Sequence, residues 1–235
     1  MPSNERYVGG EYLAANPSWH EEDSDWKASQ IWQLLRRAGG NAPRSVAEVG
    51  CGAGGVLRAL QRSMSEATSF DGYDVAPAAI QRAEQHANAR LAFHCEDVTR
   101  AGRTFDLLLC IDVFEHVEDP FAFLRAIRPL APRVVFNIPL EIHVAGTLIN
   151  HQLWTRRQFG HLHFYTAAIA FETLRECGYQ VIAHAYPSRL VDLPRSASEW
   201  LFWLPRKLGA LINPEFSARI FGGTSLLVLA GRAES

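Results

Sequence analysis

The chain has 235 residues, of which 48% are hydrophobic and 20% charged, with 23 basic residues against 25 acidic ones and a formal net charge of −2. This length and composition predict one domain with a sizeable core, and a near-neutral charge with no block of one sign gives no electrostatic case for a nucleic-acid partner. The chain lacks any run of about 20 apolar residues, opens with acids, prolines and tryptophans instead of a basic stretch followed by an apolar one, and spaces Cys51, Cys95, Cys110 and Cys177 without a CxxC pair, so a cytoplasmic protein with buried thiols, no membrane partner and no metal is expected.

In chain order, Ala28, Ile31, Leu35 and Ala38 recur at helical spacing behind Ser24, which can cap the start, and Gly39 with Gly40 stops the run. Strand 45–49, helix 54–64, strand 68–73, helix 77–87 with Pro77 in its first turn, strand 90–95 and strand 105–111 follow. Strands separated by helix-length segments imply a parallel sheet with right-handed crossovers. Asp119 and Pro120 start another helix, strand 133–138 comes next, helix 166–177 ends at Gly178, and Tyr179 to Tyr186 reads as a sixth strand. The last strand, Ser225 to Ala230, is a continuous apolar run. Two insertions remain, 140–165 and 187–222. Loops of that length in one domain are usually lids or binding walls. Residues 1–40 form an N-terminal cap ahead of the sheet.

Val46-Ala47-Glu48-Val49-Gly50-Cys51-Gly52-Ala53-Gly54-Gly55 places a glycine-rich turn directly after the first strand and before a helix. Alone it is ambiguous, because Gly50, Gly52 and Gly55 also satisfy the dinucleotide fingerprint. Glu48, just ahead of the first glycine, suits the ammonium of a methionine moiety and would repel a pyrophosphate. Asp74 ends the second strand 20 residues after Gly54, the separation expected of an acid that accepts both hydroxyls of a ribose. Asp97 is a third acid on the same edge, placed to accept from an adenine amino group with the Val98 amide facing the ring.

Together with Phe105-Asp-Leu-Leu-Leu-Cys-Ile-Asp-Val-Phe-Glu-His-Val-Glu-Asp-Pro120 and His161-Leu-His-Phe-Tyr-Thr166, these residues resemble the class I S-adenosylmethionine (SAM) dependent methyltransferases, particularly small bacterial methyltransferases of metabolite and glycan pathways. The resemblance covers about residues 20–180. It implies a Rossmann-like α/β fold with a seven-stranded, mostly parallel sheet, the final strand antiparallel, and SAM at the carboxyl edge. The residues it assigns to the cofactor are Glu48, Gly50, Cys51, Gly52, Gly54, Asp74, Val75, Asp97, Val98, Ile111 and Asp112.

The sulfonium of SAM is already an activated electrophile, so the protein mainly desolvates it and holds a nucleophile in line. Where a proton must leave the acceptor, His116, His143 and Tyr165 are the candidates for base or substrate contact, while His161 and His163 orient the loop before the helix at Thr166. A zinc site from His161, His163 and Cys177 lacks ligand spacing. The segment Asn16 to Lys27 combines aromatic, acidic and basic residues and is suited to fold over the pocket, with Lys27 as a charge partner for the SAM carboxylate. Trp200, Phe202 and Trp203 are expected to wall the substrate. Transfer of a methyl group to a small metabolite is the leading expectation. Cyclisation of SAM to azetidine-2-carboxylate and methylthioadenosine, a SAM-binding protein without catalysis, and a nicotinamide dehydrogenase are the rivals.

Overall fold

Helix α1 (Ser24–Ala38) buries Ala28, Ile31, Leu34 and Leu35 on one stripe and ends at Gly39, whose φ of 72° no branched residue adopts easily. Ser24 sits inside the first turn, with Asp23 in the cap position; its hydroxyl packs where a Cβ on Gly55 would stand 2.3 Å away, so the two helices touch through the smallest residue available. The computed structural model describes residues 21–233, apart from the side chains of 197 and 198. Trp19 and His20 of the expected N-terminal cover lie outside the described residues.

Seven strands follow: β1 (Ser45–Val49), β2 (Ser69–Tyr73), β3 (Leu91–His94), β4 (Leu107–Ile111), β5 (Arg133–Pro139), β6 (Tyr179–Ala185) and β7 (Ser225–Arg232). Their spatial order is β3-β2-β1-β4-β5-β7-β6, parallel throughout except that β7 runs antiparallel between β5 and β6. Period-two alternation assigns the core: Ala47, Val49, Leu108, Cys110, Val134 and Phe136 face one layer, while Val46, Leu107, Leu109, Ile111 and Val135 face the other. Both faces of the central strands are therefore covered, which explains why β4 reads as an uninterrupted apolar run.

Helices α2 (Gly55–Ser63), α3 (Pro77–Ala83), α4 (Pro120–Ile127) and a later one cover the sheet. The helix expected over 77–87 stops at Ala83 and tightens into a 3-10 turn, Glu84–His86. Asp119 caps α4 by accepting from the Ala122 amide at 2.8 Å, with Pro120 at its first position. The first insertion carries α5 (Val144–Leu148) and α6 (His151–Gln158), and Thr166 then caps α7 (Ala167–Glu176). The second insertion folds into α8 (Arg189–Asp192), α9 (Ala197–Leu201), α10 (Trp203–Ile212) and α11 (Pro214–Phe221). No helix among the described residues is long and apolar enough to cross a membrane. The strand order reverses direction between β1 and β4, and the loops leaving their carboxyl ends enclose the site.

Candidate active site

A cavity of about 860 Å³ opens at that switch point. Gly50 forms its floor at a φ of 66°, and a Cβ there would stand 2.7 Å from Val113 Cγ2, so side-chain-free backbone is what leaves room beside the cavity. Asp74 braces the same loop: Oδ2 accepts from the Gly52 amide at 2.9 Å and Oδ1 from the Ala76 amide at 2.9 Å. Burial nonetheless pushes the Asp74 carboxyl above its ordinary value, against those backbone donors.

Charge is concentrated beside this loop. Glu48 is 2% exposed, and its Oε2 has no hydrogen-bond partner although the residue lines the cavity. Burial first, then the neighbouring charges of Asp74 and Asp112, push its carboxyl well up, with Lys27 opposing them. Asp112 holds a left-handed φ of 54° at the end of β4 and receives Lys27 Nζ at 2.7 Å on Oδ2 and Asn137 Nδ2 at 2.7 Å on Oδ1. Burial would raise Asp112, but the Lys27 charge and the two hydrogen bonds outweigh it and hold the carboxyl low; Lys27 is held high, since Asp112, Asp23 and Glu48 together overcome its own burial. The pair is an ion pair.

A second group of polar side chains, of different chemistry, lines the same cavity. Glu115 is fully buried with neither carboxylate oxygen hydrogen-bonded, and its backbone carbonyl accepts from the Leu162 and His163 amides at 2.8 and 3.1 Å. Those two bonds draw the His161-Leu-His segment against the end of β4. His161 thereby meets His116 edge-on, ring centroids 4.7 Å apart, and its Nδ1 lies 2.6 Å from Glu141 Oε2. Glu115, His116, Glu141 and His161 all line the cavity.

Of the residues assigned to the cofactor from the sequence, Glu48, Gly50, Cys51, Gly52, Asp74, Val75, Asp97, Val98, Ile111 and Asp112 line this one cavity. Gly54 is set behind it, serving as the left-handed entry to α2 at a φ of 78°, where a Cβ would stand 2.4 Å from the Phe93 ring. His116 lines the cavity, whereas His143 and Tyr165 lie outside its lining. His143 caps α5 through Nδ1, which accepts from the Gly146 amide at 3.0 Å, and burial lowers its proton affinity. Tyr165 is 4% exposed with its ring edge-on to Phe114, and burial drives its phenol upward. Neither environment suits a base.

The aromatic wall is also different from the one expected. Trp200, Phe202 and Trp203 are absent from the lining, Trp200 and Phe202 being exposed and Trp203 donating its indole N–H to the Val191 carbonyl at 2.9 Å. Trp154 and Phe159 of the first insertion, with Leu190 of the second, line the cavity instead. The thiol reading needs one change: Cys51, Cys110 and Cys177 are buried and free, but Cys95 is exposed. Glu115 and Glu141 line the cavity without a local sequence signal that marks them as site residues. Glu115 precedes the conspicuous His116, and only the fold brings Glu141 to His161.

The family described as "Methyltransferase domain" matches residues 19–184, most of the chain. The chain belongs to this methyltransferase family. Its cofactor is S-adenosylmethionine. Over 98 residues this methyltransferase is 30% identical to the ubiquinone biosynthesis O-methyltransferase of Sodalis glossinidius, a match spanning 40% of this chain and 39% of that protein. The aligned part is thus about two-fifths of the relative's length. A putative methyltransferase of Haloferax volcanii, solved in complex with the Trm112 activator, superposes with a TM-score of 0.67 at 18% identity, covering 97% of both chains. The magnesium protoporphyrin IX methyltransferase of Synechocystis with bound SAH superposes at 0.58 and 16% identity, covering 91% of this methyltransferase and 83% of that chain. At such identities the superpositions establish the shared fold.

The cavity's chemistry fits SAM on its own terms. A buried carboxylate oxygen without a partner, Glu48 Oε2, faces a space bordered by a glycine turn and by two further acids, Asp74 and Asp112. A cationic ligand with an ammonium group satisfies that demand.

Proposed function

We propose that this methyltransferase methylates an oxygen of a small-molecule metabolite. The observation that carries the reading is that one cavity is lined both by the glycine turn with orphaned Glu48 and by the corner of Glu115, His116, Glu141 and His161. When bound, SAM supplies a methyl carbon activated by the adjacent sulfonium. Glu48 would take its ammonium, Lys27 its carboxylate, and Asp74 its ribose hydroxyls with the acceptor capacity left after bracing the loop. Asp97, whose Oδ1 already accepts from the Thr99 amide and hydroxyl, would offer its other oxygen to the adenine amino group beside Val98. Val75, Ile111 and the backbone of Gly50 to Gly52 would supply the apolar and close-approach contacts.

The corner suits an acceptor hydroxyl, because imidazole and carboxylate groups together hold an O–H in place and favour loss of its proton. Trp154, Phe159 and Leu190 would exclude water and pack against the acceptor's apolar body. The matched relatives are O-methyltransferases by name, which supports an oxygen acceptor. Against cyclisation of SAM, which needs no acceptor, stands the lining of the cavity of about 860 Å³ by the polar Glu115, His116, Glu141 and His161 group in addition to the glycine turn. Buried free thiols support a reducing, cytoplasmic setting.

The test is incubation with SAM and a panel of phenolic, enolic and aliphatic hydroxyl compounds, followed by mass analysis. S-adenosylhomocysteine formed in step with a methylated oxygen is the expected result. Methylthioadenosine formed without any acceptor would replace the reading by cyclisation.

A further inference from the structure

The corner of Glu115, His116, Glu141 and His161 carries a more specific chemistry than orientation of a hydroxyl. Glu115, His116 and His161 each present one ligand atom, and these atoms lie within 4.8 Å of one another. Two imidazoles and one carboxylate are the donor set of many divalent transition-metal sites, His2Glu among the catalytic zinc sites and the two-histidine, one-carboxylate set among the iron sites.

Glu115 makes the argument independent of the grouping. A fully buried carboxylate with neither oxygen hydrogen-bonded demands a proton or a cation, since leaving it ionised and alone is among the costliest arrangements in a protein. Glu141 makes a second argument. Its Oε2 lies 2.6 Å from His161 Nδ1, so the imidazole donates there and its Nε2 carries the lone pair. A carboxylate behind a histidine, fixing its tautomer and orientation, is the usual support of a metal-ligating histidine.

We propose that Glu115, His116 and His161 bind one divalent first-row transition-metal ion, with Glu141 positioning His161, and that the ion holds the acceptor oxygen. Ligand atoms about 2.0–2.2 Å from a tetrahedral ion stand about 3.4 Å apart, so the donors close in by roughly 1 Å when the ion enters, a distance covered by side-chain rotation. The three ligands leave positions open on the cavity side for water or for the acceptor. An acceptor hydroxyl on the ion loses its proton to solvent while the electron pair stays on oxygen, which yields the nucleophile without a side-chain base. The site was hidden in the sequence because its ligands stand at the ends of separate elements, 45 residues apart from His116 to His161.

The proposal rests on reading this corner as the acceptor end, and the two are tested separately. Full-length protein dialysed against a chelator is titrated with Co²⁺ alone and with Zn²⁺ alone. Uptake is measured by elemental analysis and by the visible absorption of bound Co²⁺. One equivalent is expected in the wild type and in the His184→Gln control, whose ring packs between Phe171 and Tyr186 outside the cavity. Glu115→Gln and His161→Gln should abolish uptake, and Glu141→Gln should weaken it about 10–100-fold. His116→Gln, on a partly exposed side chain, keeps the test available if the buried substitutions prevent folding. No stoichiometric uptake, or uptake unchanged in these variants, overturns the site. Metal uptake with methylation indifferent to the chelator overturns the role in holding acceptor. Metal uptake without methylation of any oxygen compound instead counts against the reading of the reaction and leaves the metal site standing.

Discussion

Lys27 and Asp112 stand 85 residues apart in the chain and 2.7 Å apart in space, tying the helix ahead of the sheet to the end of the central strand β4. Both side chains are about three-quarters removed from solvent, at 21% and 27% exposure. The contact fixes one wall of the cavity to one of its acids. Replacing Lys27 by Met should cost about 1–3 kcal/mol in urea unfolding at neutral pH, because Asp112 keeps only Asn137 as a partner.

The pH dependence of that loss has a definite sign. Asp112 is held below its ordinary value of 3.8, so its share of the stability is present above that pH and disappears as pH falls through the lower folded value. Lys27 is held above 10.5, so its share is present below that pH and disappears as pH rises through the higher folded value. The gap between wild type and Lys27→Met should narrow in acid as Asp112 takes up its proton and narrow again in strong base as Lys27 loses its own. A gap that widens toward acid would contradict the ion pair.

Glu48 should behave in the opposite way. Its carboxyl is raised well above 4.5 in the folded protein, so folding without SAM becomes less favourable as pH climbs past 4.5 toward the folded value. Glu48→Gln should therefore stabilise the SAM-free protein at pH 7 by on the order of 1 kcal/mol, with no gain near pH 4. The same change should weaken SAM binding by about 1–3 kcal/mol in calorimetry. Stabilisation with unchanged affinity would remove Glu48 from the site.

Gly54→Ala tests the loop by steric means. The new methyl group would stand 2.4 Å from the Phe93 ring at a φ of 78°, so both strain and overlap oppose it, and a stability loss of about 2–4 kcal/mol is expected from thermal unfolding. Gly102→Ala offers the comparison. It has a similar φ of 64° but nothing within 4 Å of the added carbon, so only the strain of about 1 kcal/mol should appear.

Hydrogen exchange addresses the two insertions. Trp154 and Phe159 from the first, and Arg189 and Leu190 from the second, line the cavity. Exchange in α6 and α8 should slow when SAM or S-adenosylhomocysteine is added, while α10, which contributes nothing to the lining, should change little. Equal protection of all three helices with and without ligand would deny the insertions a covering role.

The sheet was legible because its signals are local. Period-two burial, Asp119-Pro120 at a cap and glycine at left-handed positions each act over a few residues, and strands 45–49 and 133–138 fall within a residue of their observed ends. The glycine-turn wall of the cavity was legible for the same reason, since the first βα turn gathers Glu48 to Gly52 in one stretch. The corner around Glu115 and His161 was not. His161 reaches the cavity through hydrogen bonds that the Leu162 and His163 amides donate to a carbonyl nearly fifty positions upstream, and no spacing announces such a pairing. Trp203 misled because aromatic content does not reveal direction; its indole anchors α8 instead of facing the cavity.

The amide of Ser225 donates to the carbonyl of Pro187 at 3.0 Å, and the Ser188 hydroxyl donates to the Gly223 carbonyl at 2.8 Å. The second insertion therefore leaves the sheet and returns to it through a fastened neck, and everything between is an excursion whose ends are already joined. Closure entropy depends only weakly on loop length once the ends are fixed. The neck, and not the excursion, sets what the insertion presents to the cavity: Leu190 and Gly223 on its two sides line it, whereas no described residue of α9 to α11 contributes to the lining.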